Sequence, residues 1–155
     1  CFLEKVDDQW KIVYRSRVNT STYFQPDIFL ITAINFAKSN GKSAEELGTF
    51  TSNMAKESYN PQLSLGGLAN NVRSNWGIFV NQDNMKTIEE DENHVVLQFT
   101  DFLNNLKNNG PIYNVSYSDY ISFFNEVFKG IADHLGYVYA QETVPNGVEI
   151  TITKK

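Results

Sequence analysis

The chain has 155 residues, 41% of them hydrophobic and 14% aromatic, with a net charge of −5. That is enough for one domain whose core needs no disulfide or metal staple. Its thirteen Lys and Arg against eighteen Asp and Glu form no basic run, which argues against nucleic acid as a partner, because phosphate backbones demand clustered positive charge. One cysteine and two histidines cannot build the usual zinc spacings, and the longest apolar stretch, residues 28–37, is broken by Thr32 and Asn35 and is too short to span a bilayer.

Cys1 opens the sequence and Phe2 and Leu3 follow at once, without the polar tether of a lipid-anchored protein. We therefore expect a cleaved signal peptide or a trimmed chain. The abundance of Asn, Ser, Thr and Tyr suits an extracytoplasmic bacterial protein. Residues 2–6 and 9–18 flank the turn-prone pair Asp7-Asp8, and Trp10, Ile12 and Tyr14 alternate with Lys11, Val13 and Arg15. Period two between turn residues predicts a hairpin. Gln25-Pro26-Asp27 opens a helix. Its Ile28, Ile31, Ile34 and Phe36, with Phe29, Leu30 and Ala33 on other faces, predict burial on most sides before Gly41 stops it.

Ser43-Ala44-Glu45-Glu46 is a capping box that starts a second helix, with Leu47, Phe50 and Met54 on one face and Asn60-Pro61 at its end. Leu65, Leu68, Val72 and Trp76 mark a third helix, closed by Gly77 and weakened near its start by Gly66-Gly67. The pattern then becomes a hairpin: residues 85–90, the turn Asp91-Glu92-Asn93, and a return strand with Val95, Leu97 and Phe99 on one side. A short helical stretch at 102–106 breaks at Asn108-Asn109-Gly110-Pro111. Ser118 is expected to cap a long amphipathic helix carrying Tyr120, Phe124, Val127, Ile131 and Leu135, ended by Gly136. Residues 137–144 and 148–153 form the last hairpin about Pro145-Asn146-Gly147, with Val148, Ile150 and Ile152 on one face. The order ββ–α–α–α–ββ–α–ββ predicts a single α+β domain over 1–155, an antiparallel sheet built from hairpins with helices on one face. Residues 1–25 supply a hairpin and linker; residues 26–155 supply the helices, two hairpins and the long amphipathic helix.

Few side chains carry chemistry. His134 in the last turn of its helix reads as a cation at the dipole's negative end. His94 reads as a solvated histidine beside carboxylates, and Glu89-Glu90-Asp91-Glu92 as a solvated turn without the alternating ligands of a calcium loop. Cys1 lacks an identifiable base, and Ser64 and Ser74 are not set in a nucleophile elbow, so the catalytic residues are unknown. The aromatic inventory is richer: Tyr113, Tyr117, Tyr120, Tyr137 and Tyr139 cluster in the last third of the chain. Each offers an apolar body and one hydroxyl, as small-molecule pockets use.

From Ser43 onward the chain resembles the small-molecule-binding superfamily of 4-vinyl reductase domains, haem–nitric-oxide-binding domains and L-2-amino-thiazoline-4-carboxylic acid hydrolase-like proteins. The resemblance rests on element order and three passages: Ala44-Glu45-Glu46-Leu47-Gly48, Trp76-Gly77 with the hairpin around 89–93, and 128–136 followed by two strands. The 4-vinyl reductase cysteine of the last hairpin is replaced here by Gly147 and Val148. No histidine lies between Cys1 and Asn93 to hold haem iron. The resemblance therefore implies a relative without cofactor: no haem, no metal. It also implies a cavity between sheet and helices, lined by Trp76, Tyr113, Tyr117 and Tyr120, for a small apolar or aromatic ligand. The rival expectation is a filled core in which those rings pack on one another. A ligand-binding or sensor-like module leads, with a thiazoline-carboxylate-type hydrolase and a protein-interaction module as alternatives.

Overall fold

The computed structural model describes residues 2–6, 9–13 and 26–155. Strands β1 (Phe2–Val6) and β2 (Gln9–Val13) pair antiparallel as a sheet of their own; Asp7, Asp8 and the expected extension of β2 to Val18 lie outside the described residues. The remaining strands, β3 (Met85–Glu90), β4 (His94–Thr100), β5 (Tyr137–Val144) and β6 (Gly147–Lys154), form one antiparallel sheet in the order β3-β4-β6-β5. The two hairpins meet through their return strands, which have the strictest apolar alternation. Val95 stands opposite Ile152, Leu97 opposite Ile150 and Phe99 opposite Val148, and all six are buried. Strands with one strongly apolar face gain most from a central position, and the more polar β3 and β5 take the edges. The expected α+β architecture is what the chain adopts.

Helices α3 (Leu65–Trp76) and α5 (Tyr117–His134), the latter preceded by the short α4 (Asn104–Asn109), cover the apolar face of the sheet. In α3, Ser64 accepts a hydrogen bond from the Gly67 N–H, and Leu65, Leu68, Val72 and Trp76 are all buried. The cap of α5 is Ser116, two residues earlier than expected. Its hydroxyl takes the Asp119 N–H while the Asp119 carboxylate takes the Ser116 N–H, a second capping box. Ser118 lies inside the first turn. Burial opposes charge on Asp119, but the Lys38 ammonium at 2.8 Å and the two Ser116 donors outweigh it and lower its pKa. The Lys38–Asp119 pair ties α1 (Pro26–Ser39) to the start of α5.

Two expectations about apolar faces are corrected. Among the described side chains of α1, Ile31, Ile34 and Ala37 are buried and Leu30 packs partly against the core, while Phe36 is 70% exposed, because one face of this helix docks and Phe36 lies on another. In α2 (Ala44–Ala55) the inward residues are Ala44, Gly48 and Ser52, whereas Phe50 and Met54 are 62% and 69% exposed. Their i, i+4, i+8 spacing makes a stripe of small side chains, and it lets α2 lie close against α5. A Cβ on Gly48 would stand 2.6 Å from the Phe123 carbonyl oxygen, and one on Gly130 would strike Ser52 Oγ. Here backbone proximity, rather than side-chain hydrophobicity, decides which face turns inward.

Candidate functional site

Trp76 ends α3 with its side chain fully buried. Its ring centroid lies 4.6 Å from Phe102, 4.9 Å from Phe124 and 5.3 Å from Phe99. Phe102 continues to Tyr117 at 6.1 Å, and Phe79 links Tyr120 at 6.1 Å to Phe124 at 5.4 Å. Three of the four residues singled out from the sequence, Trp76, Tyr117 and Tyr120, thus belong to one aromatic cluster between helices and sheet. They touch through Phe79, Phe102 and Phe124 and pack as rings on rings. Phe79 and Phe102 carried a signal that periodicity does not weigh: each is an aromatic residue in a connection, one in the apolar triplet Ile78-Phe79-Val80 and one just after β4.

Tyr113 does not join the cluster. It is 58% exposed and sits with Asn114 at the tip of a tight turn whose flanking residues, Ile112 and Val115, exchange hydrogen bonds of 2.9 and 2.8 Å. Both tip residues have positive φ, 47° and 66°. That is the geometry of a type I′ turn, which points its central side chains away from the buried flanks. Residues Asp101 and Leu103 are also left-handed, at φ 56° and 49°. The four non-glycine residues of positive φ among the described residues therefore all fall in one connection, between β4 and α5. This connection buries Phe102, Leu106, Ile112 and Val115. Such conformations cost about 1–3 kcal/mol each and concentrate where a structure must yield or clamp.

The polar atoms of the cluster are unevenly satisfied. Tyr139 is buried and donates to Gln141 Oε1 at 2.9 Å. Burial drives its pKa well above the ordinary range, and the Trp76 indole N–H beside its hydroxyl pulls the other way. That indole Nε1–H makes no well-formed hydrogen bond, nor does the buried Tyr117 hydroxyl, whose pKa burial also raises. A sealed donor without an acceptor costs about 1–3 kcal/mol.

The other candidates resolve into structural roles. His94 Nε2 lies 3.0 Å from Glu89 and Nδ1 2.9 Å from Asp91, and His134 is exposed at the end of α5. Among the described residues no three His, Cys, Asp or Glu side chains are grouped to hold a metal. An open groove of about 210 Å³ runs between α2 and α5 beside Ser52, Glu126, Lys129 and Asp133, short of the roughly 300 Å³ that a drug-sized ligand needs.

The His94 geometry makes a measurable prediction. The hydrogen bond to Glu89, then the charge of Asp91, raise the imidazole pKa above its ordinary value. The interaction therefore stabilises fully below the ordinary imidazole pKa and is lost as pH rises through the folded one. An NMR titration should place the His94 midpoint above the ordinary imidazole value, and Glu89→Gln should move it back down. A His94 midpoint unmoved by that substitution would count against the pairing.

Comparison with protein-family models, curated proteins and solved structures gives no match. The class that the chain itself defines is an α+β domain with an aromatic cluster enclosed between its sheet and helices.

Proposed function

We propose that the protein is a small-molecule-binding or sensor-like module whose site is the aromatic cluster of Trp76, Tyr117 and Tyr120. The observation that carries this reading is the pair of buried donors, Trp76 Nε1–H and Tyr117 O–H, neither in a well-formed hydrogen bond among the stacked rings, the indole standing beside the Tyr139 hydroxyl without proper hydrogen-bond geometry. A ligand that suits them has a flat apolar body and at least one carbonyl-type acceptor. The connection 101–116, with its left-handed residues, is the natural cover to open, since segments holding strain open locally at least cost. The resemblance of the chain to the small-molecule-binding superfamily agrees with a ligand lodged between sheet and helices.

The test is the indole N–H signal of Trp76 in 15N-labelled Trp10→Phe protein, titrated with acetophenone and with ethylbenzene, its analogue without the acceptor. Acetophenone should shift the signal saturably and ethylbenzene much less, and Tyr117→Phe should weaken acetophenone about fivefold, the value of one hydrogen bond. An indole signal indifferent to both compounds would remove the reading. A second reading, a protein-interaction module, is favoured by the exposure of Phe36, Phe50 and Met54 on α1 and α2.

A further inference from the structure

The two edges of the four-stranded sheet are built differently. Edge strand β3 has six residues, of which Lys86, Glu89 and Glu90 are charged. Its register slips between Thr87 and Glu89, leaving Ile88 as a bulge, and Arg73 of α3 reaches across to the Thr87 hydroxyl. Bulges and charges are how proteins keep an edge from pairing with another chain. Edge strand β5 has no bulge and only one charged residue. It runs eight residues, Tyr-Val-Tyr-Ala-Gln-Glu-Thr-Val, without Pro, Gly, Lys or Arg and with Glu142 as its single charge. It pairs residue for residue with β6 without a slip. Among the described residues, no backbone hydrogen bond reaches its outer side, and the β1–β2 hairpin forms a separate sheet. Val138 on this edge is 50% exposed.

We propose that β5 pairs antiparallel with β5 of a second copy of this chain, joining two four-stranded sheets into one of eight strands. The strand is self-complementary about Ala140. Antiparallel pairing centred there sets the smallest side chain of the strand opposite itself on the two-fold axis. Val138 then faces Glu142, Tyr139 faces Gln141, and Tyr137 faces Thr143, so no like charges stand opposite. The two Glu142 carboxylates are held about 14 Å apart, from roughly 3.4 Å per residue along the strand, beyond the Debye length of about 8 Å at physiological salt. Moving the axis to Gln141 halves that separation along the strand, and moving it to Glu142 places the carboxylates face to face. The charge pattern thus selects one register. Because the remaining edge on each copy is the guarded β3, association closes at two chains and does not continue into a fibre.

The experiment is sedimentation equilibrium of the full chain from 1 to 200 µM. The wild type should pass from the 17.7 kDa chain mass to twice that value. Ala140→Lys sets two ammonium groups against each other on the axis and should weaken the dimer at least tenfold. Ala140 is exposed, so the monomer's far-UV circular dichroism should stay the same. Val138→Lys is the sharper probe: in this register it faces the partner's carboxylate at residue 142, twice by symmetry, and should tighten the dimer severalfold. Adding Glu142→Lys should reverse that gain. A chain that stays monomeric throughout would overturn the proposal and leave the edge to a strand of another protein. A dimer indifferent to Ala140→Lys, or weakened by Val138→Lys, would equally overturn it and move the interface elsewhere, the exposed apolar side chains of α1 and α2 being the first place to look.

Discussion

Phe124→Ala is expected to destabilise the protein by about 3–5 kcal/mol, measured from urea unfolding. Phe124 is 6% exposed and stands at the centre of the aromatic cluster, with ring centroids of Trp76, Phe79, Phe102, Phe123 and Phe128 between 4.9 and 6.2 Å away. Truncation removes the transfer free energy of a whole phenyl ring and leaves a cavity whose walls are other large rings, held by α3, α5 and two connections, which collapse poorly into it. The comparison variant is Phe50→Ala. It removes the same atoms from a side chain 62% exposed and should change stability by only about 0.5 kcal/mol. A loss below about 1 kcal/mol for Phe124→Ala would mean that α5 does not seat on the sheet through this ring.

Gly48→Ala should also destabilise, by about 1–3 kcal/mol, and here the sign is the informative part. In a helix interior, alanine is favoured over glycine by about 1 kcal/mol, so at a free position the substitution would stabilise. At Gly48 the added Cβ meets the Phe123 carbonyl oxygen at 2.6 Å and Glu126 Cβ at 2.9 Å. The first is backbone of α5, so relief requires moving one helix from the other. Gly130→Ala tests the same contact from the opposite side, where the obstacle is Ser52 Oγ. That obstacle is a side chain, so Ser52→Gly should recover most of the loss at Gly130 and none of the loss at Gly48. A thermal midpoint for Gly48→Ala at or above the wild type would show that α2 and α5 stand farther apart than described.

Local signals in this chain were readable wherever the responsible atoms are close in sequence. The Ser43–Glu46 capping box, the Gly41 stop at φ +72° and the turn at Asp91 each depend on neighbours within four residues. The α5 stripe and the alternation of β4 and β6 were equally plain, because burial repeats there with the period of the backbone. Ser116 was missed as the cap of α5 because Ser118 is also a good cap residue, and only the Asp119 carboxylate reaching back to the Ser116 N–H distinguishes them.

The candidate site was readable in part. That aromatic residues of the last helix would meet Trp76 followed from their apolar faces. That Tyr113 would turn outward did not, because its direction is set by a positive φ, which the residue type disfavours and the surrounding turn imposes. Phe79 and Phe102 lie in connections without periodicity, so nothing local marks them as core.

By itself, then, the sequence determined the type and extent of the principal elements, the α+β class and which faces of β4, β6, α3 and α5 are apolar. These follow from backbone periodicity and short-range hydrogen bonding. Tertiary structure decided the strand order, the inward turn of the Ala44, Gly48 and Ser52 face of α2 while Phe50 and Met54 stay outside, and the enclosure at Trp76 and Tyr117 of two donors without well-formed hydrogen bonds. Each of these depends on how closely two distant segments approach. That distance is a property of the packed pair, and neither segment carries it alone.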